Sequence, residues 1–100
     1  MPMKDAEAGH TCPSMATIIP ARNAGTTLGP CLGALRAAGM DARSIIVVDD
    51  GSEDATAQIA RDAGVNVIPT EGPLGAAAAR NVGAAATEAD LLLFVDADVA

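Results

Sequence analysis

A run of four β-branched residues at positions 45–48 constrains the fold of this chain more than any other feature. Side chains branched at Cβ favour strands, and an uninterrupted apolar run is typical of a strand that is buried on both faces. The polar residues 49–52 follow directly and predict a sharp turn. Such a strand requires cover on both sides of its sheet, which favours an α/β fold.

Shorter apolar runs alternate with helical patterns around this strand. Strands are predicted at residues 15–19, 45–48, 65–68 and 91–95, and helices at residues 27–38, between residue 52 and Gly64, and at residues 76–86. Pro20 is predicted to end the first strand, and the small residues of the last helix favour close packing on the sheet. The order β-α-β-α-β-α-β implies right-handed crossovers and a mostly parallel sheet.

Polar residues collect where these predicted strands end. Ligands of such sheets bind beyond the carboxyl ends of the strands. This rule selects residues 20–23, 49–52, 70–75 and 96–98 as the segments of a ligand site.

Residues 1–14 predict a disordered tail, because they contain two prolines, a glycine and no apolar periodicity. The length of 100 residues matches the common size of one domain, and we assign residues 15–100 to it. The core is expected to consist of Ala, Val, Ile and Leu. Cys31 is expected to face that core from the first helix as a reduced thiol.

The formal charge of −7, from 13 acidic and 6 basic residues, argues against nucleic acid as a partner. An acidic chain can still bind a diphosphate when a divalent cation lies between them. Neither a secretion signal nor an apolar stretch of the ~20 residues that span a bilayer is visible. We therefore expect a cytoplasmic protein, in contact with the inner face of the membrane only through a region outside this chain.

Asp96 and Asp98 flank Ala97 at the end of the last apolar run. Two carboxylates at positions i and i+2 of an extended backbone point to the same side. Oxygen ligands of this kind suit Mg²⁺ or Mn²⁺. Such a pair is common in solvated turns, but its place after a strand favours a metal site.

Asp49 and Asp50 place two like charges side by side, which is unfavourable unless a partner uses them. One carboxylate can serve the next helix, whose cap is predicted at Ser52 or Asp54. Asp50 can instead accept a hydrogen bond from a nucleobase. Arg22 and Arg80, at the same predicted edge, can reach a diphosphate or pair with an aspartate, and both alternatives stay open.

Several other site classes are disfavoured. Neither GxGxxG nor GxxxxGK[ST] occurs, which argues against a dinucleotide site and a P-loop. The only histidine, His10, lies in the predicted tail, so Ser-His-Asp catalysis is excluded. Gly72 and Gly75 would permit close backbone approach to a phosphate.

Four motifs follow one another in a recognisable order. They are Ile-Ile-Pro-Ala-Arg-Asn at 18–23, Val-Val-Asp-Asp-Gly-Ser at 47–52 with Asp54 and Thr56, Ala-Arg-Asn at 79–81 with Gly83, and Phe-Val-Asp-Ala-Asp at 94–98. Together they resemble the N-terminal, nucleotide-binding portion of family-2 glycosyltransferases. The resemblance covers residues 15–100 and implies a partial GT-A fold, a Rossmann-like three-layer sandwich.

The resemblance also implies a function and a set of site residues. The donor would be a nucleotide sugar, usually a UDP-linked one, and the metal would be Mn²⁺ or Mg²⁺. The sugar would be transferred with inversion to an unknown acceptor. The matching nucleotide-binding positions are Pro20, Ala21, Arg22, Asp50, Gly51, Arg80 and Asp96, and the matching metal positions are Asp98 and Asp96. Pro20 to Arg22 would line the base pocket, Asp50 would hold the uracil and Arg80 would lie near the diphosphate. Asp96 would contact the ribose or metal-bound water.

The resemblance places the catalytic base beyond residue 100, so we expect the chain to be a truncated piece of a longer enzyme and inactive alone. Two alternatives remain. A sugar-phosphate nucleotidyltransferase usually needs a Gly-, Arg- and Lys-rich loop after the first strand, where residues 20–25 offer only Arg22. A truncated fragment without any catalysis is the other.

Overall fold

Strands and helices alternate throughout the part of the chain that the structure, a computed structural model, describes, which is residues 14–97. The elements are β1 (Met15–Ala21), α1 (Leu28–Ala37), β2 (Ile45–Asp49), α2 (Thr56–Asp62), β3 (Asn66–Pro69), α3 (Ala76–Ala85) and β4 (Leu91–Phe94), with a short 3-10 turn at Ala42–Ser44. The predicted order is confirmed. The predicted tail, except Ser14, and the predicted metal ligand Asp98 lie outside the described residues.

The strands form one parallel sheet in the order β3-β2-β1-β4. Ile18 of β1 lies between Ile46 of β2 and Phe94 of β4 in register. The chain builds the sheet outward from β1 to β3 and then crosses back to add β4 on the other side of β1. The direction of strand addition therefore reverses between β1 and β4, and ligands of open α/β sheets bind at such a reversal.

Helices cover both faces of the sheet and give the three layers that the resemblance implied. On one face, α1 and α2 bury a cluster that includes Ile19, Leu28, Cys31 and Val47. On the other face, α3 packs on Ile18, Ile46 and Val48 through Ala79. The prediction that Cys31 faces the core is confirmed, and all five residues of β2 are buried.

Helix α3 approaches the sheet closely at Gly83, as its small residues predicted. A Cβ atom at this position would lie 2.4 Å from Cγ2 of Ile18 and 3.1 Å from Cγ2 of Val48. Carbon atoms in favourable contact are about 3.5–4.0 Å apart, so only glycine fits here without movement of the sheet or the helix.

The predicted end of the first strand was wrong, because β1 continues through Pro20 to Ala21. The carbonyl of Ile18 accepts from Val95 on the β4 side, while the carbonyl of Ala21 accepts from Asp50 on the β2 side. Backbone groups alternate along a strand, so the nitrogen of Pro20 faces the β4 side beyond the last paired residue of β4. No ladder hydrogen bond is lost there, which is why a central strand tolerates this proline.

Ser14, which was assigned to the tail, is paired with the segment before β4. Its carbonyl accepts from the Leu91 N–H at 2.9 Å, and its hydroxyl accepts from the Asp90 N–H at 3.0 Å. Among residues 14–97, no helix has the length and apolar character needed to cross a membrane.

Candidate functional site

Two adjoining clefts open at the carboxyl edge of the sheet. The first, of about 370 Å³, lies at the reversal between β1 and β4 and includes Arg22, Asn23 and Asp96 in its lining. The second, of about 290 Å³, lies between the ends of β1 and β2 and includes Arg22 and Asp50. The residues that line both clefts are Pro20, Ala21, Arg22 and Ala76. The end of β1 therefore forms the ridge between two parts of one groove.

The Asp50 carboxylate is the most heavily bonded group of this groove. Its residue is 4% exposed, although it carries a charge. Oδ1 accepts from the Thr70 hydroxyl at 2.7 Å, and Oδ2 accepts from the Gly75 N–H at 2.9 Å. The Leu74 N–H is shared between the two oxygens at 2.9 and 3.0 Å. Three donors thus surround a carboxylate that has about four acceptor sites.

These donors decide the charge of Asp50. Burial by itself raises the pKa of this carboxyl, because the charged form loses water. The hydrogen bonds from Thr70, Leu74 and Gly75, helped by the charge of Arg22, outweigh burial and lower the pKa below its ordinary value of 3.8. Asp50 is therefore an anion at neutral pH and presents only acceptor oxygens to the groove.

Gly51 and Gly72 let the turn after β2 and the loop after β3 touch through their backbones. Gly51 has a φ of +79°, and a Cβ there would lie 2.7 Å from the Gly72 carbonyl oxygen. A Cβ on Gly72 would lie 2.3 Å from Oδ1 of Asp50. The sequence-predicted site residue Gly51 is therefore placed against the 70–75 loop, where it makes room for the bonds to Asp50.

A second group of hydrogen bonds ties the loop after β1 to the turn before α2. The Ser52 hydroxyl accepts from the Asn23 N–H at 2.9 Å, and the Asn23 side chain accepts from the Glu53 N–H at 2.8 Å. The buried Thr56 hydroxyl accepts from the Ala24 N–H at 2.8 Å. Asp54 accepts from the Gly25 N–H at 3.0 Å and from the Thr56 hydroxyl. The loop that carries Arg22 is thereby held in place.

The prediction that Ser52 or Asp54 caps α2 is wrong, because the N-cap residue is Ala55, which makes no side-chain cap hydrogen bond. Asp54 does accept from the N–H of Thr56, the first helical residue, at 3.0 Å. Ser52 is too far from the helix to cap it, because α2 begins at Thr56 and the Ser52 hydroxyl binds Asn23 instead. The Asp49 carboxylate accepts from the Ser52 N–H at 3.1 Å and so stabilises the turn itself.

Arg80 and Asp96 form an ion pair at the β4 side of the groove. Their closest nitrogen and oxygen atoms are 3.7 Å apart, and their side chains are 40% and 67% exposed. A pair this open to water is weak, so either partner is available to a ligand. Within the described range, no aspartate or glutamate lies within ion-pair distance of the exposed Arg22. Of the two arginines for which the sequence left pairing with an aspartate open, Arg80 forms such a pair in the structure.

The Asp96 carboxylate has the oxygen chemistry that a divalent cation prefers. This carboxylate is exposed at the reversal cleft, and hard oxygen ligands suit Mg²⁺ and Mn²⁺. Residues 14–97 contain no cluster of three His, Cys, Asp or Glu side chains that could hold a metal ion. Mg²⁺ usually takes only one or two protein carboxylates and completes its shell with phosphate oxygens and water, so a larger cluster is not required.

A larger cleft, of about 710 Å³, lies at the opposite edge, beside the amino ends of the strands. Its lining includes Arg43, Asn66 and Glu88, and none of the sequence-predicted site residues. Ligands of parallel sheets bind at the carboxyl edge, so size alone does not make this cleft the site.

Comparison with known protein families identifies the family of this chain. The family model described as Glycosyl transferase family 2 matches residues 16–100. The chain belongs to glycosyl transferase family 2. A curated family relative, the 4,4'-diaponeurosporenoate glycosyltransferase of Staphylococcus haemolyticus, is 39% identical over 97 residues. That match covers 91% of this chain and 26% of the relative, and the chain spans about a quarter of the length of the curated relatives it matches.

Solved structures agree with the family and the fold. The glucosyl-3-phosphoglycerate synthase of Mycobacterium tuberculosis, in complex with Mn²⁺, UDP and glucosyl-3-phosphoglycerate, superposes with a TM-score of 0.73 at 26% identity. This match covers 85% of our chain and 33% of the synthase. The mannosyl-3-phosphoglycerate synthase of Rubrobacter xylanophilus gives a TM-score of 0.76 at 28% identity, over 88% of our chain and 32% of that chain. The GT-A architecture expected from the sequence is confirmed.

The structure brings most predicted site residues to one groove. Pro20, Ala21, Arg22, Asp50 and Asp96 line it, whereas Arg80 reaches it through Asp96 and Gly51 lies behind it. Sequence reasoning missed Thr70, the side-chain donor to Asp50. Its only signal was a hydroxyl two residues after the third predicted strand, inside a segment already selected as a site loop.

Proposed function

We propose that the chain forms the donor-binding part of an enzyme that transfers a sugar from a UDP-linked donor to an acceptor hydroxyl, with inversion and with the help of Mn²⁺ or Mg²⁺. The observation that carries this proposal is the groove itself. An anionic acceptor, Asp50, stands at one end, an exposed carboxylate, Asp96, at the other, and Arg22 lies between them.

The spacing of the two carboxylates supports a nucleoside diphosphate. Neighbouring strands are about 4.8 Å apart, so the ends of β2 and β4, on either side of β1, are about 10 Å apart. A nucleotide lying across β1 would place its base near Asp50 and its phosphates near Asp96. The M. tuberculosis synthase, a relative in fold, was solved with UDP and Mn²⁺ bound.

The base would bind in the cleft beside Asp50. Pro20 and Ala21 line this cleft and offer backbone and small apolar surface to a flat ring. The fourth acceptor site of the Asp50 carboxylate would receive the N3–H of uracil, a charge-assisted hydrogen bond. Gly51 would contribute indirectly, through its contact with the 70–75 loop.

The diphosphate would lie toward β4. Asp96, together with Asp98 two residues later, would hold the cation. When bound, a divalent cation neutralises charge on the phosphates of the leaving nucleotide. Arg80 would exchange its weak bond to Asp96 for a phosphate oxygen, and Arg22 would add a second positive charge from the ridge. In an inverting transfer, a carboxylate base removes the proton of the acceptor hydroxyl. We assign no residue of this chain to that step.

Calorimetric titration of UDP into the chain, with and without Mn²⁺, tests the proposal. We expect binding that requires Mn²⁺ and that Asp50→Ala or Asp98→Ala abolishes. Asp62→Ala, which removes an exposed carboxylate on α2 far from the groove, is the matched control and should bind normally. If folding is verified by circular dichroism and UDP still does not bind, the donor site is wrong.

Two experiments separate the alternatives. Release of pyrophosphate from a nucleoside triphosphate and a sugar phosphate would favour a nucleotidyltransferase, and release of UDP from a UDP-sugar favours the transferase. If UDP binds but the chain releases none from any UDP-sugar, the chain acts as a binding module without catalysis of its own.

A further inference from the structure

Thr70 connects the loop after β3 to the Asp50 carboxylate but does not itself line the groove. Its hydroxyl donates to Oδ1 of Asp50 at 2.7 Å and accepts from the Gly72 N–H at 3.0 Å. A hydroxyl has one proton. The Gly72 N–H can only donate, so of these two partners Asp50 alone can accept that proton, and this sets the polarity of the pair.

The other partners of Asp50 have the same polarity. The Leu74 and Gly75 N–H groups can only donate, so each group among residues 14–97 that is hydrogen-bonded to this carboxylate is a donor. A proton on Asp50 would have to take the acceptor capacity that these three donors leave free. The arrangement therefore keeps the group unprotonated and leaves one acceptor site for a ligand, beside Pro20 and Arg22 in the cleft.

We propose that Thr70 is a positioning residue that orients the Asp50 carboxylate and the 70–75 loop, so that the cleft selects a nucleobase with a ring N–H over one without. This inference rests on the proposed function in so far as a nucleotide occupies the groove. Uracil carries a proton on N3 and matches the free acceptor site. The N3 atom of cytosine has no proton and is itself an acceptor. Its lone pair would face a lone pair of the Asp50 carboxylate, and the two repel each other.

UDP and CDP are matched probes, because they share the ribose and the diphosphate and differ only in the base. We expect the wild-type chain at pH 7.5 with Mn²⁺ to prefer UDP by about tenfold or more, the typical value of one charge-assisted hydrogen bond. Thr70→Val removes the donor, and we expect the preference to fall several-fold. Thr70→Ser keeps the hydroxyl and should restore the preference.

Thr87→Val is the control for loss of a hydroxyl. The Thr87 hydroxyl accepts from the Ala89 N–H at 3.1 Å at the opposite edge of the sheet, so its removal should leave the preference unchanged. The ratio of two affinities measured on one preparation does not depend on the folded fraction. Thr70→Ala also removes the hydroxyl, and its UDP preference is measured in parallel in case the valine variant fails to fold.

A measurement without nucleotide separates this inference from the proposed function. The amide signals of Leu74 and Gly75 should follow the titration of Asp50 in an NMR pH series. Because the Thr70 bond lowers the pKa of Asp50, Thr70→Val should move the midpoint to higher pH, while Thr70→Ser and Thr87→Val should not. The ionisable residues on the elements around Asp50 are Arg22, Asp49, Glu71 and Arg80. Of these, Arg22 contributes to lowering the pKa of Asp50.

The outcomes are distinct. An unchanged midpoint and an unchanged UDP preference in a folded Thr70→Val variant would overturn the role of Thr70. If Thr70→Val raises the midpoint but the wild-type chain binds neither nucleotide, Thr70 positions Asp50, and both base selection and the proposed function are rejected. A raised midpoint with a reduced preference supports the whole inference.

Discussion

The two ends of the groove are built in different ways. The Asp50 half, formed by Asp50 and the 70–75 loop, is closed by backbone and side-chain hydrogen bonds. The Asp96 half, formed by β4, residues 95–97 and Arg80, is open. Leu91, Leu93 and Phe94 of β4 are 54%, 40% and 45% exposed, whereas all of β2 is buried.

The difference follows from the position of the strands. β2 lies between β1 and β3 and has helices over both faces, whereas β4 is, within residues 14–97, an edge strand with one neighbour. A carboxylate at the end of β2 must therefore find most of its partners within the protein, because little of its surface is open to water. A carboxylate at the end of β4 keeps its water and its freedom to bind a ligand. Interior strands thus form the rigid part of the groove.

The largest expected effect contrasts a buried interior strand with the strand β4 of the Asp96 half. Ile19→Ala in β1 removes a fully buried side chain and should lower the free energy of unfolding by about 2–5 kcal/mol. Leu93→Ala in β4 removes a side chain that is already 40% exposed and should cost clearly less. Urea unfolding followed by circular dichroism measures both. Equal losses would show that β4 is covered in solution and would remove the contrast.

Next in size is Asp50→Asn. An asparagine has one acceptor oxygen and must turn its NH₂ group toward at least one of the three donors, so we expect a loss of about 2–3 kcal/mol. Asp62→Asn on α2 is the control, because its exposed carboxylate binds only Gln58 among the described residues. Unfolding of the two variants at the same urea concentration would contradict the proposed network.

A smaller loss is expected from Thr56→Val. The change leaves the Ala24 N–H, a buried donor, without its acceptor and should cost about 1–2 kcal/mol. The same change at Thr26, which is exposed, should have little effect. Hydrogen exchange of the Ala24 and Gly25 amides gives a local readout, and unchanged protection in Thr56→Val would argue against the tie between this loop and α2.

Arg80→Ala should change stability least, by less than about 1 kcal/mol, because its ion pair with Asp96 is exposed. If Arg80 binds the diphosphate as proposed, the affinity for UDP should nevertheless fall. Arg43→Ala, which breaks a more exposed pair with Asp41 at the amino edge, is the control. A large loss of stability in Arg80→Ala, but not in Arg43→Ala, would place the Asp96 half among the rigid parts of the groove.

Much of the fold could be predicted from the sequence because its signals are local. The β-branched residues of β2 and the helical spacing of Leu28, Cys31 and Leu32 depend on neighbours only a few residues away. The candidate site could be predicted as far as the strand ends that carry it. Thr70 was missed because its bond to Asp50 joins residues 20 positions apart, and no short pattern records that distance.

The sequence by itself determined the alternation of strands and helices and the collection of Arg22, Asp50 and Asp96 at one edge, since parallel strands with right-handed crossovers point their carboxyl ends the same way. Only the tertiary structure decided that β4 adds beside β1 and not beside β3, that Pro20 stays within a central strand, and that Asp50 is bonded while Asp96 is open. The reason is physical. These outcomes depend on which strand has a neighbour on each side and on which polar groups burial deprives of water, and both are set by contacts between distant parts of the chain.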